Sequence, residues 1–246
     1  MSRIALVTGA ARGLGAAIAT CLHAAGYRVA VADLCAQGAH AVADKLDASG
    51  ETAFAMSFDV RDKPAFETAL QELVRRWGGA DVLVNNAGQS KVAALMDITP
   101  DEFDQIVSVN LRGTFVGSQV FGAHFRERGH GRIVNIGSLA GQNGGTATGA
   151  HYAAAKGGVA VLTKIFAREL GAHGVTVNCV SPGPLDLPIV HETVAPERLR
   201  AVLESIPVRR LGSPEAVADM VVLLASEQAG AITGANWDAN GGLLMR

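Results

Sequence analysis

The chain has 246 residues, 49% hydrophobic and 18% charged, with a formal net charge of −2 and a pI near 6.4. That balance describes a globular protein able to bury a sizeable core, and with no Lys/Arg run it leaves no electrostatic footprint for nucleic acid or a membrane surface as partner. The three cysteines, Cys21, Cys35 and Cys179, are odd in number and scattered, which excludes a disulfide framework or a paired-cysteine metal motif and reads as idle thiols in a reducing compartment.

Apolar, β-branched runs then alternate with helical periodicity along the whole chain. The first strand run, Ile4–Thr8, starts too early to leave room for a secretion signal, so a cytoplasmic protein is expected. A helix is predicted over 13–25, then a strand at Arg28–Asp33 and a helix over 36–48. A strand at 52–58 and a helix over 64–77 follow, then a strand at Val82–Asn85 and one long helix over 100–126. The rest reads as a strand at 132–138, a helix over 151–170, a strand at 175–180, a helix at Pro214–Ala225 and a short strand at 235–238. Apolar runs such as Met220 to Ala225 are far too short to span a membrane. This alternation predicts an α/β fold: a doubly wound, mainly parallel sheet of about seven strands with helices on both faces, in one domain over residues 1–246. Two stretches break the rhythm. Residues 141–150 form a small-residue loop with Gly141, Gly144, Gly145 and Gly149, and residues 182–207 hold five prolines and read as a partly helical excursion. Long loops at strand ends of such a sheet are where ligands sit.

Thr8-Gly9-Ala10-Ala11-Arg12-Gly13-Leu14-Gly15 joins the first strand to the first helix. Glycines there permit a tight turn and close backbone approach, and the helix N-terminus offers free N–H groups to a pyrophosphate. The spacing is GxxxGxG rather than GxGxxG, and a glycine-rich turn alone also serves ordinary turn chemistry. Asp33 ends the second strand, twenty residues after Gly13, where a carboxylate can accept hydrogen bonds from an adenosine ribose; a plain strand-end or helix-capping aspartate is the competing reading. Together they favour NAD over NADP, because a 2′-phosphate would meet the charge of Asp33. Arg12 is the one feature pulling toward NADP.

Tyr152 and Lys156 stand four residues apart on one face of a helix. An ammonium so close is expected to lower a phenol pKa that is otherwise about 10. Upstream, Asn135-Ile-Gly-Ser138-Leu-Ala-Gly141 ends a strand in a serine at the same sheet edge as the glycine turn.

With these residues in view, the chain resembles the short-chain dehydrogenase/reductase family, in its compact single-domain branch with a Rossmann-like fold. The matches run in order through the Thr8–Gly15 turn, Asp59-Val60, Asn85-Asn86-Ala87-Gly88, Asn110, Ser138, Tyr152, Lys156, Pro182-Gly183 and the terminal Ile232-Thr-Gly and Asp238-Ala-Asn-Gly-Gly242. The resemblance implies a catalytic set of Asn110, Ser138, Tyr152 and Lys156. Ser138 would hydrogen-bond the substrate oxygen and Tyr152 would give or take the alcohol proton. Lys156 would hold the nicotinamide ribose and depress the tyrosine, and Asn110 would support a water-linked proton route. The cofactor would lie against Gly9, Arg12, Gly13, Leu14, Gly15, Asp33, Asp59, Val60, Asn86, Ala87, Gly88, Pro182, Gly183 and Leu185, together with Tyr152 and Lys156. One departure stands out: Leu187 falls where the family often carries a threonine for the nicotinamide carboxamide. In the family the final strand and the two long central helices pack subunits together, commonly as homotetramers.

Other motifs read blandly. His191-Glu192 begins an HExxH look-alike whose fifth position is Ala195, so no metal is expected; the glycines around Ser138, Gly137 and Gly141, are misplaced for the GxSxG elbow of a hydrolase. His151 reads as a pocket-wall or surface residue, and Trp237 as core or subunit interface. The similar branch holds both 3-oxoacyl-carrier-protein reductases, usually NADPH-linked, and NAD-dependent alcohol dehydrogenases. The carrier-protein enzymes tend to have arginines where this chain has Gly129 and His173. With Asp33, that leans toward an NAD(H)-dependent oxidoreductase acting on a small secondary alcohol or ketone, with Tyr152 as its acid–base; the alternative is a 3-oxoacyl-carrier-protein reductase using NADPH.

Overall fold

The computed structural model describes residues 3–145 and 148–246; Thr146 and Ala147 of the glycine-rich loop lie outside the described residues. The elements run β1 (Ile4–Thr8), α1 (Gly13–Ala24), β2 (Arg28–Asp33), α2 (Ala36–Leu46), β3 (Ala53–Ser57), α3 (Lys63–Trp77), β4 (Val82–Asn85), α4 (Pro100–Val107), α5 (Gly113–Arg128), β5 (Gly131–Ile136), α6 (Ala140–Asn143), α7 (Ala150–Leu170), β6 (Val175–Pro182), α8 (Pro188–Thr193), α9 (Pro196–Ser205), α10 (Pro214–Ala225) and β7 (Asn236–Ala239). The seven strands form one sheet in the order β3-β2-β1-β4-β5-β6-β7, every pair parallel. This is the Rossmann-like, doubly wound α/β fold that the strand–helix alternation predicts. Among the described residues no helix is long and apolar enough to cross a membrane.

The central strands are covered on both faces, which is why they read as unbroken apolar runs. All five residues of β1 are buried, and its side chains divide by the two-residue period of a strand. Ala5 and Val7 join Val29, Val31, Val84 and Val134 against Ile18 and Leu22 of α1 and Val217, Val221 and Leu224 of α10. Ile4 and Leu6 join Leu83 and Ile133 on the other face, against Phe66 and Leu73 of α3, Phe121 and Phe125 of α5, and Leu170 of α7. Phe58, Phe66, Phe121 and Phe125 meet edge to face in series, with centroids 5.0 to 6.3 Å apart.

The long helix predicted over 100–126 is interrupted. A five-residue π-helical turn, Ser108–Arg112, separates α4 from α5. Such bulges break the i→i+4 ladder without ending the helix, and they gather at functional sites. Here the turn carries Asn110, which is fully buried. Its Nδ2 donates to Ile106 O (2.9 Å), a carbonyl that a regular α-helix would give to the Asn110 backbone N–H.

From β1 the chain winds outward to β3 and then returns to β4 on the other side of β1, so a crevice opens between the C-terminal ends of β1 and β4. The ends are joined across it. Thr8 Oγ1 donates to Val84 O (3.2 Å) and accepts the N–H groups of Asn86 and Ala87, each at 3.1 Å. Asn86 Nδ2 donates back to Thr8 O and Gly9 O, each at 2.9 Å. Thr8 is buried, so Thr8→Val, which keeps its shape, strands two backbone donors and should cost about 1–3 kcal/mol of unfolding free energy. Denaturant titration checks this; a variant as stable as wild type would show that the clamp is not a stabilising element.

Candidate active site

One cleft of about 950 Å³ lies along this switch point. Gly9, Arg12, Gly13, Leu14, Gly15, Asp33, Asp59, Val60, Asn86, Ala87, Gly88, Ser138, Tyr152, Lys156, Pro182, Gly183 and Leu185 all line it. Asn110 sits behind the wall.

The glycine turn is shaped by contact. Gly9 holds a left-handed φ of 65°, and a Cβ there would stand 2.6 Å from Ala87 Cα. A Cβ on Gly15 would overlap the Gly9 carbonyl, so α1 could not start so close to the turn with any other residue. Arg12, exposed, takes the N-cap position in an extended conformation and supplies no side-chain cap, leaving the first-turn N–H groups of α1 without that partner. The Asp33 carboxylate performs the strand-end task as well as facing the cleft. Its Oδ2 accepts Ala11 N–H (3.0 Å) and its Oδ1 accepts Cys35 N–H (2.9 Å), leaving lone pairs on both oxygens. A cradle that a Cβ would fill, an uncapped helix N-terminus and a half-buried carboxylate beside them fit the pyrophosphate and ribose of a dinucleotide.

At the other end stand Ser138, Tyr152 and Lys156. Ser138 follows β5 and accepts the Ala140 N–H at Oγ (3.1 Å). Tyr152 and Lys156 rise from the first turns of α7. Lys156 is buried, its Nζ donates to Ile136 O (2.7 Å), and it lies 5.8 Å from the Tyr152 ring centroid. Burial lowers the Lys156 pKa to about 8. Tyr152 departs from the expectation of a depressed pKa: burial pushes the phenol up, and the opposing pull comes from its hydrogen bond with Ser138. The physical reason is that the Lys156 ammonium spends its short contact on a backbone carbonyl while both groups lose solvation.

Asn110 completes this end. Its Nδ2 also donates to Gln89 O (2.8 Å), while Oδ1 is buried with no hydrogen-bond partner among the described residues. A Cβ built on Gly88 would meet that Oδ1 at 2.7 Å and Lys156 Nζ at 3.6 Å, so acceptor and ammonium flank the same glycine.

Two residues depart from the sequence reading: His151 differs from it and Arg61 was missing in it. His151 is neither pocket wall nor surface: it is fully buried, with Nε2 3.1 Å from Glu102 Oε1 and Nδ1 2.9 Å from Tyr152 N. Its partner lies 49 residues away, which local pattern cannot show. Arg61 lines the cleft and grips Asp59 through Nε at 2.9 and 3.0 Å, holding that carboxyl below the usual range. The spacing of Asp59 and Arg61 was the available signal, since an Asx turn places residue i+2 against the carboxylate. Leu187, in the place of the family's threonine, is apolar cleft wall facing Gly13, whose built Cβ would lie 3.9 Å from it.

The family model described as enoyl-(acyl carrier protein) reductase matches residues 9–244. The chain is 42% identical to acetoacetyl-CoA reductase of Shinella zoogloeoides and 41% identical to that of Rhizobium meliloti, covering 98% of each chain in both pairs. It is 37% identical to the 3-oxoacyl-[acyl-carrier-protein] reductase FabG of Escherichia coli, over 99% of this chain and 98% of that one. With matches across nearly its whole length, the chain belongs to the short-chain dehydrogenase/reductase family of oxidoreductases.

Proposed function

We propose that this chain is a cytoplasmic 3-oxoacyl-thioester reductase, one catalytic unit along its length, that converts a keto group to a secondary alcohol with NADH. The observation that carries the reading is the Tyr152 phenol beside Ser138, at one end of the cleft whose other end is the glycine turn. The substrate class comes from the full-length relatives named acetoacetyl-CoA reductase. Their names favour a thioester over the free secondary alcohol or ketone expected from sequence. The missing arginines at Gly129 and His173 bear instead on the carrier. The two loops touch, since a Cβ on Gly174 would overlap Gly129 O, so an acidic carrier protein would lose two neighbouring cationic contacts worth about 0.2–1 kcal/mol each. A coenzyme A thioester needs neither.

A bound nicotinamide dinucleotide would supply the hydride, held by the glycine turn, Asp33, Asp59-Val60, the Asn86–Gly88 backbone, Lys156 and the Pro182–Leu185 segment. Ser138 donates a hydrogen bond to the keto oxygen and orients it. Tyr152 protonates that oxygen as negative charge develops there. Lys156 keeps a cation beside the phenol, and Asn110 Oδ1 offers the acceptor through which the proton is replaced. Asp33 selects NADH: two unit charges 4 Å apart repel by about 1 kcal/mol in water and about 4 kcal/mol at an effective dielectric of 20. The chain also assembles with copies of itself. Val161 and Ile165, one turn apart on α7, are 55% and 44% exposed, and Phe115 of α5, against Phe166 of α7, is 39% exposed.

Acetoacetyl-CoA with NADH should show the highest kcat/KM, above the same substrate with NADPH, above acetoacetyl-carrier protein, and above small free ketones; Asp33→Ala should narrow the NADH–NADPH gap. A higher value on carrier protein or with NADPH would overturn the respective assignment. Tyr152→Phe should lower kcat roughly 10²–10⁴-fold while the dissociation constant for NADH stays near wild type, measured by fluorescence titration. In reduction the phenol must carry its proton, so kcat should be flat at lower pH and fall as pH rises through the Tyr152 pKa, with alcohol oxidation showing the opposite slope. Ser138→Ala removes the contact that lowers that pKa, so it should move the alkaline limb to higher pH.

A further inference from the structure

Gly149, the N-cap of helix α7, has no side chain to cap it, and no side-chain cap bond forms there. The N–H of Tyr152, in its first turn, is shared instead between Gly149 O (3.1 Å) and the Nδ1 atom of His151 (2.9 Å). A backbone N–H can only donate, so Nδ1 is an acceptor and the neutral imidazole carries its proton on Nε2. That proton points at Glu102 Oε1, 3.1 Å away. Glu102 stands three residues after the N-cap Thr99 of α4, the place from which a capping-box glutamate normally reaches back to the cap N–H. Its carboxylate turns the other way: Oε2 pairs with Lys91 Nζ and Oε1 takes His151. Lys91 closes the circuit, because its carbonyl accepts the Gly149 N–H (2.9 Å). The ring is fully buried and occupies the space that a Cβ on Gly149 would fill, so the glycine admits it.

We propose that His151 is a positioning residue for Tyr152, oriented by Glu102 and, through Glu102, tied to Lys91 on the segment that lines the cleft after Gly88. A three-point tether of this kind fixes the first turn of α7, and with it the placement of the phenol against Ser138. Which ring nitrogen of a histidine carries the proton is set by the hydrogen bond its other nitrogen makes, so Glu102 fixes the tautomer that accepts the Tyr152 N–H. The inference rests on Tyr152 being the proton donor. Misplacing a reacting group by about 1 Å costs on the order of 10²-fold in rate. His151→Phe keeps a planar ring and removes both nitrogens; His151→Asn keeps a side-chain acceptor for the Tyr152 N–H.

The test is steady-state reduction of acetoacetyl-CoA over pH for wild type, His151→Phe, His151→Asn, Glu102→Gln and Tyr152→Phe, with the folded fraction of each measured by circular dichroism. His151→Phe should lower kcat about 10- to 100-fold per folded enzyme, leave KM for NADH within about twofold, and move the alkaline limb upward as Ser138→Ala does. His151→Asn should recover most of the loss, and Glu102→Gln should show a weaker form of the same shift. An unmoved alkaline limb with normal kcat per folded His151→Phe enzyme, beside an inactive Tyr152→Phe, overturns the positioning role and leaves the catalytic reading intact. Near-normal turnover in Tyr152→Phe overturns both.

Discussion

The molecule depends on the hydrogen-bonded clamp between Thr8 and Asn86. Parallel strands deliver their C-terminal ends to one edge of the sheet, and the return from β3 to β4 splits the helices there. A split edge exposes backbone groups that need partners. Thr8 Oγ1 and the Asn86 amide between them satisfy five such groups, and in doing so fix the distance between the glycine turn and the segment after β4. The close packing of Gly9 on Ala87 follows from that distance. The glycine turn and the Asn86–Gly88 segment inherit their spacing from this clamp.

The chemical end is organised by a conflict between burial and charge. Tyr152 and Lys156 are both pushed toward their neutral forms by desolvation, the phenol upward and the ammonium down to about 8. The contacts around them are few: Ser138 on the phenol, the Ile136 carbonyl on the ammonium, and the Asn110 Oδ1 acceptor nearby. A phenol whose pKa is pushed up by burial suits proton donation to a developing alkoxide, the reducing direction. The π-helical turn matters here because it is the backbone distortion that brings the Asn110 amide into contact with both Gln89 O and Ile106 O.

The fold was legible because fully buried parallel strands must be continuous apolar runs, and β1, β2 and β4 were delimited by that alone. The cleft residues were legible because glycine turns, a strand-end aspartate and the Tyr152–Lys156 spacing are local patterns. What stayed hidden arises between distant segments. The bulge at Ser108–Arg112 contains no proline or glycine to mark it in the sequence. The place of His151 depends on Glu102 and Lys91, which belong to another helix and another loop. The direction of the Tyr152 shift depends on burial, about which a four-residue spacing is silent.

We propose that the phenol of Tyr152 protonates the keto oxygen of a 3-oxoacyl thioester, to which a bound NADH would supply the hydride. Single-turnover reduction of acetoacetyl-CoA, with NADH deuterated at the transferred position and in H2O or D2O, tests it most directly. The account predicts deuterium at C3 of the hydroxyacyl product, and slowing by both the labelled NADH and D2O in wild type. In the residual reaction of Tyr152→Phe the sensitivity to D2O should change while the label still arrives at C3. Product without the label, or the same D2O response with and without the phenol hydroxyl, would contradict it.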